Sequence, residues 1–148
     1  MNKKIKWLLV LIWMMVIFCF SQQSGQESSE TSGLVESILN YFTFIPSSIF
    51  GIELQVLIRK AAHFTEYFIL YVLCFNLVKE YKPRAQSLYL ALIIVFLYAC
   101  SDEIHQAFIP GRACAFTDVL IDTAGGTLAM LILMIKGFIK QSQRVNKV

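Results

Sequence analysis

The sequence predicts an all-α membrane protein, with four transmembrane helices and a short amphipathic helix in the first outer loop. Three observations lead there. Of the 148 residues, 57% are hydrophobic and 16% charged, and the mean hydropathy is +0.62. A small water-soluble domain must cover most of its surface with polar residues, so this composition points to lipid. The apolar residues fall in long runs separated by short polar turns, and the cations collect on alternate turns.

The first run, residues 5–20, follows Lys3 and Lys4, is interrupted only by Lys6 and extends into Ser21 and Gln22, giving a span over 5–22. It is short for a helix that must cross a bilayer with about 17–25 residues, but Trp7 and Trp13 suit an interfacial anchor. A signal peptide is the rival reading; Cys19-Phe20-Ser21 is a poor cleavage site for one. Residues 22–32, rich in Ser, Gln, Glu and Gly, read as a polar loop. In residues 33–44, Leu34, Ile38, Tyr41 and Phe42 recur at helical spacing. That predicts a short amphipathic helix on the membrane surface or capping the bundle, ended by Pro46, Ser47 and Ser48. Residues 23–57 together form the outer loop.

The second span covers 58–78 and is entered through Arg59, Lys60, His63 and Glu66. A polar turn over 79–84 breaks at Pro83. The third span, 87–105, runs on into Ser101, Asp102, Glu103 and His105, and Pro110, Gly111 and Arg112 turn the chain back. The fourth, 118–139, is entered through Asp118 and Asp122. The chain is one domain, 1–148.

Ten of the 13 basic residues sit on one side of this layout: Lys3, Lys4 and Lys6; Lys79, Lys82 and Arg84; Lys136, Lys140, Arg144 and Lys147. Positive charge marks the cytoplasmic side, so the expectation is a multi-pass protein of the cell membrane with both termini inside. No basic block suited to nucleic acid is present. Cys19, Cys74, Cys100 and Cys114 have no metal-knuckle or disulfide-framework spacing; a Cys100–Cys114 pairing near the outer surface is conceivable.

Under this topology the outer ends of all four spans are polar. Ionisable residues inside a membrane helix are costly and usually face the bundle interior or a wet cavity. Arg59, His63 and Glu66 share one face of the second span; Ser101 and His105, and likewise Asp102 and His105, share a face of the third; Asp118 and Asp122 share a face of the fourth. Glu103, about 100° from Asp102, points elsewhere. Gly125, Gly126 and Ala129 lie one turn deeper and allow a neighbouring backbone close.

Four segments then carry a family likeness. They are Phe20-Ser21-Gln22-Gln23-Ser24-Gly25, Arg59-Lys60-Ala61-Ala62-His63-Phe64-Thr65-Glu66-Tyr67, the stretch from Ser101-Asp102-Glu103-Ile104-His105-Gln106 to Pro110-Gly111-Arg112, and Asp118 to Gly126. In this order they resemble the signature blocks of VanZ-like proteins. The resemblance implies a bacterial membrane protein from a family named for an accessory protein of a glycopeptide-resistance cluster, associated with lowered teicoplanin sensitivity. It implies no particular reaction.

The residues support several chemistries. His63 with Glu66 suits a general base and its orienting carboxylate, or a hydrogen bond that fixes the bundle. His105 with Asp102, Asp118 or Asp122 suits a divalent-metal site, or an ion-pair network with Arg59, Lys60 and Arg112; no metal ligand is assigned and the cofactor is unknown. The catalytic candidates are His63, Glu66, Asp102, His105 and Asp122. The substrate-binding candidates are Ser21, Gln23, Arg59, Lys60, Ser101, Arg112 and Asp118. Arginine forks bind phosphate or carboxylate, so the expected function is an envelope protein whose outward-facing pocket binds or modifies a lipid-linked or cell-wall head group. The expected partners are membrane lipids and such head groups, with no nucleic acid. A non-catalytic membrane interaction protein and a small transporter are the alternatives.

Overall fold

The computed structural model describes residues 2–42 and 46–145. The helices are α1 (Lys3–Ser21), α2 (Gly25–Phe42), α3 (Leu54–Val78), α4 (Arg84–Gln106) and α5 (Phe116–Val145). A two-residue hairpin, β1 (Ser48–Ile49) with β2 (Ile52–Glu53), precedes α3. Four helices, α1, α3, α4 and α5, are long and apolar enough to cross a membrane. Their outward faces carry Leu8, Leu11, Met15, Ile93, Leu97, Leu131 and Ile135, a lipid-facing exterior that a soluble monomer does not show.

Helix α3 is the hub, packing against α5 most extensively and also against α4, α1 and α2. Its inward stripe of Tyr67, Leu70, Tyr71, Cys74, Phe75 and Leu77 meets Ala91, Val95 and Ala99 of α4, Val119 and Ala129 of α5, and Val10 and Ile17 of α1. Small residues on α4 and α5 against large ones on α3 bring the axes close. Gly125 decides how close: a Cβ there would lie 2.1 Å from the Phe64 carbonyl oxygen, while one on Gly126 would meet Val95 Cγ1 at 2.8 Å. Adjacent glycines thus seat α5 against two different helices.

Side-chain donors tie the spans to one another's backbones. Trp13 Nε1 donates to the Glu66 carbonyl at 2.9 Å, and the Tyr98 hydroxyl to the Met14 carbonyl at 2.7 Å. The Tyr71 hydroxyl reaches the Leu88 carbonyl at 3.1 Å. At the basic end, Lys6 pairs with Glu80, and this hydrogen bond holds the Glu80 carboxyl below the ordinary glutamate range. All four cysteines are free, Cys100 and Cys114 included.

The segment read as a polar loop over 22–32 is helical from Gly25. Ser24 and Glu27 form a reciprocal cap: Ser24 N and Oγ donate to Glu27 Oε2 at 2.8 and 2.9 Å, and Glu27 N donates to Ser24 Oγ at 3.3 Å. That capping box starts the helix eight residues before the apolar pattern, and the Ser24 donors lower the Glu27 pKa. Residues 43–45, where the amphipathic pattern was expected to finish, and Lys147 of the basic tail lie outside the described residues. Helix α2 is also turned inside out: Ser28 and Ser32 are buried, while Leu34, Ile38 and Tyr41 are exposed.

The Gly125 contact gives a stability test. Overpacking costs about 1–3 kcal/mol, and here the obstacle is backbone, which yields least. Gly125→Ala should melt clearly below wild type in detergent. Gly137→Ala, whose Cβ would meet only the flexible end of Arg84, should melt near it. Equal midpoints for the two variants would mean that α5 moves off α3 freely.

Candidate functional site

The polar residues of α3, α4 and α5 converge at one end of the bundle because α3 and α5 run parallel in matched register. Lys60 pairs with Asp118, His63 Nδ1 lies 3.7 Å from Asp122 Oδ1, and Phe64 seats Gly125. Helix α4 runs the other way and contributes Asp102 and Gln106 from one face, four residues apart. Gln106 Nε2 donates to Asp102 Oδ2 at 3.3 Å and to Ser21 Oγ of α1 at 3.1 Å. One side chain therefore links two spans beneath the site.

The loop between α4 and α5 closes the end. Glu103 is 2% exposed and accepts a hydrogen bond from Ala115 N at 2.9 Å, fixing the chain just before α5. Gly25 N donates to the Pro110 carbonyl at 3.1 Å. A Cβ on Gly25 would lie 2.2 Å from the Gly111 carbonyl oxygen, and Gly111 itself has φ +74°. The start of α2 and the Pro110–Arg112 turn can touch only as glycines.

Two adjoining cavities result. One, of about 220 Å³, is walled by Arg59, Lys60, His63, Gln106, Arg112, Asp118 and Asp122. The other, of about 260 Å³, has an apolar wall of Phe20, Val35, Ile58 and Ala62 and a polar one that includes Gln23, Ser28, Ser32 and Glu66. Arg59, His63 and Arg112 line both. Arg112 Nε is buried without a hydrogen-bond partner; burial first, and then neighbouring Arg59, draws its pKa below the ordinary arginine value. Among the described residues neither arginine forms an ion pair with a carboxylate.

A family model described as VanZ/LLP1 matches residues 6–137. The chain belongs to the VanZ family. No curated protein and no solved structure matches it.

Of the candidates read from the VanZ-like blocks, Arg59, Lys60, His63, Arg112, Asp118 and Asp122 gather around the first cavity. Gln23 and Glu66 line the second. Ser21 and Asp102 meet through Gln106. Ser101 and His105 lie apart: the Ser101 hydroxyl turns back to the Tyr98 carbonyl at 2.7 Å, and the His105 ring stands 4.9 Å from that of Phe18. The histidine beside the aspartates is thus His63. His105 shares a helical face with Asp102 at three residues' spacing, but Gln106, at four, is the neighbour turned inward.

Gln106 had no role in the sequence reading, and Glu103, expected to point elsewhere, is buried against the loop that closes this end. The first was signalled by its spacing from Asp102. The second carried no signal, since its partner is a backbone amide twelve residues away.

Leaving a buried donor unpaired costs about 1–3 kcal/mol. Glu103→Ala should therefore lower the unfolding free energy by roughly that amount, while Glu103→Gln, which keeps an acceptor, should retain most of the stability. Thermal melts of both purified variants check this; an equal loss in both would assign the effect to charge rather than to the hydrogen bond.

Proposed function

We propose that this VanZ-family protein binds the anionic head group of a lipid or lipid-linked cell-wall precursor at the outer face of a bacterial membrane, with both its termini in the cytoplasm. The observation that carries the reading is the pair of arginines. Arg59 and Arg112 line both cavities with no carboxylate partner among the described residues, and Arg112 Nε is buried and unbonded. Two guanidinium groups held together in a half-buried site favour a phosphate or carboxylate between them. The apolar wall of Phe20, Val35, Ile58 and Ala62 gives a hydrocarbon chain a place beside the head group.

Changing or masking an outer head group would alter sensitivity to glycopeptides, which act outside the membrane; that is the teicoplanin link the family resemblance implies. If the group is modified, His63 is placed to act as a base, with Asp102 and Asp122 beside it. The deep half of the core, including Leu70, Cys74, Leu77 and Leu88, is apolar, which speaks against a transport path through the monomer.

Orientation is tested with single cysteines at Ser24 and Lys82 in a background whose native cysteines are replaced. An impermeant maleimide should label position 24 in intact cells and position 82 only after permeabilisation; the reverse pattern would sink the outward-facing pocket. Binding is tested by mass spectrometry of lipids retained by protein purified in mild detergent. A charge-assisted hydrogen bond is worth about 1.5–3 kcal/mol, so Arg59→Gln and Arg112→Gln should each reduce retention of an anionic lipid by roughly tenfold or more. Unchanged retention in both variants would remove the arginines from the reading.

A further inference from the structure

Beside the two arginines, the same site holds an unmet demand of opposite sign. Asp122 is 1% exposed, and neither carboxylate oxygen has a hydrogen-bond partner. His63 Nδ1, 3.7 Å from Asp122 Oδ1, is likewise buried and unpartnered. Asp102, 4% exposed, completes the cluster: one ligand atom from each of the three residues lies within 4.8 Å of the others. A buried carboxylate that is to stay ionised requires compensating donors or a cation. Asp102 accepts from Gln106 and has the Tyr67 hydroxyl close by, while neither oxygen of Asp122 has a hydrogen-bond partner. The neighbouring cations do not fill the gap. Lys60 is engaged by Asp118, and among the described residues Arg59 and Arg112 pair with neither aspartate.

We infer that His63, Asp102 and Asp122 bind one divalent transition-metal ion of the Mn²⁺–Zn²⁺ class. One imidazole nitrogen with carboxylate oxygens is a donor set these ions accept, whereas Mg²⁺ and Ca²⁺ favour oxygen alone. Two atoms 3.7 Å apart can both sit about 2.1 Å from one ion, and the third ligand atom, within 4.8 Å of both, reaches the same ion by a side-chain adjustment of about an ångström. The ligands come from α3, α4 and α5, so the ion joins three spans at the end where they converge. Gln106, itself bonded to Ser21, orients Asp102 from outside the ligand set. His63 and Asp122 also line the cavity flanked by Arg59 and Arg112, so the remaining coordination positions open toward it. Resting on the head-group reading, a phosphate oxygen of that group completes the coordination while the arginines hold its other oxygens.

The test uses full-length protein purified in detergent, stripped with chelator and dialysed against Mn²⁺ or Zn²⁺ alone, with bound metal read by elemental mass spectrometry. Wild type should take up one equivalent per chain. Asp122→Asn should bind roughly tenfold more weakly or worse, and His105→Gln should bind like wild type. Pulsed electron paramagnetic resonance of the Mn²⁺-loaded wild type should show nitrogen coupling that His63→Gln lacks, and a metal-free melting midpoint of His63→Gln near that of wild type separates lost ligation from lost folding. No stoichiometric uptake by wild type, no nitrogen coupling, or unchanged binding in Asp122→Asn would overturn the site. Metal uptake that stays intact while Arg59→Gln and Arg112→Gln keep their lipids would count against the head-group reading alone.

Discussion

Where α5 crosses α3, the Phe64 carbonyl occupies the space in which any side chain on Gly125 would begin. In lipid there is no hydrophobic force to draw two apolar helices together, so close backbone approach and dispersion must do it. The polar cluster shared by α3 and α5 depends on that contact. Asp122 lies one turn before Gly125, and His63 immediately precedes Phe64. Seating the glycine therefore sets the 3.7 Å separation of His63 and Asp122 and, one turn further out, the Lys60–Asp118 pair. Gly126 turns the same helix onto Val95 of α4, and so brings Asp102 and Gln106 to the same end.

The second constraint is how α2 is laid down. An amphipathic helix beside a soluble core would bury its leucines; this one buries Ser28 and Ser32 and exposes Leu34, Ile38 and Tyr41. Its first half exposes Gln26, Glu27 and Glu30 instead, so only the second half offers an apolar outer surface. Helix α2 therefore serves as a wall of the second cavity, with Ser28, Thr31, Ser32 and Val35 on its cavity side. The touching glycines Gly25 and Gly111 hold its first turn against the loop that carries Arg112.

The spans, and the end at which the polar groups gather, were legible in the sequence because each follows from properties of a single helix. Apolar length gives a span, and a spacing of three or four residues gives a face. The partnerships were less legible, because they depend on which faces meet. Asp102 shares a face with both His105 and Gln106, and periodicity cannot choose between them; the neighbouring α1 does, since Ser21 accepts from Gln106 and Phe18 takes the His105 ring. The start of α2 was hidden for a different reason. Its signal is the Ser24–Glu27 cap, while the residues between the cap and Gly33 have no apolar stripe for a periodic reading to find.

The electrostatic arrangement of the site bears most directly on its use. Buried aspartates and two arginines stand within one small region, and the least costly outcome for a purely structural network would be mutual pairing. That pairing does not occur among the described residues. Lys60 and Asp118 neutralise each other at the rim, Glu103 is occupied by the Ala115 amide, and Glu66 lines the polar wall of the second cavity. What remains shares one region: His63, Asp102 and Asp122 stand beside Arg59 and Arg112 with no direct arginine–aspartate ion pair among the described residues. A network built only for stability would not leave both sets of charges unmet. One built to receive a ligand that carries charge must leave them so, since groups already neutralised by each other would have to be pulled apart before anything could bind.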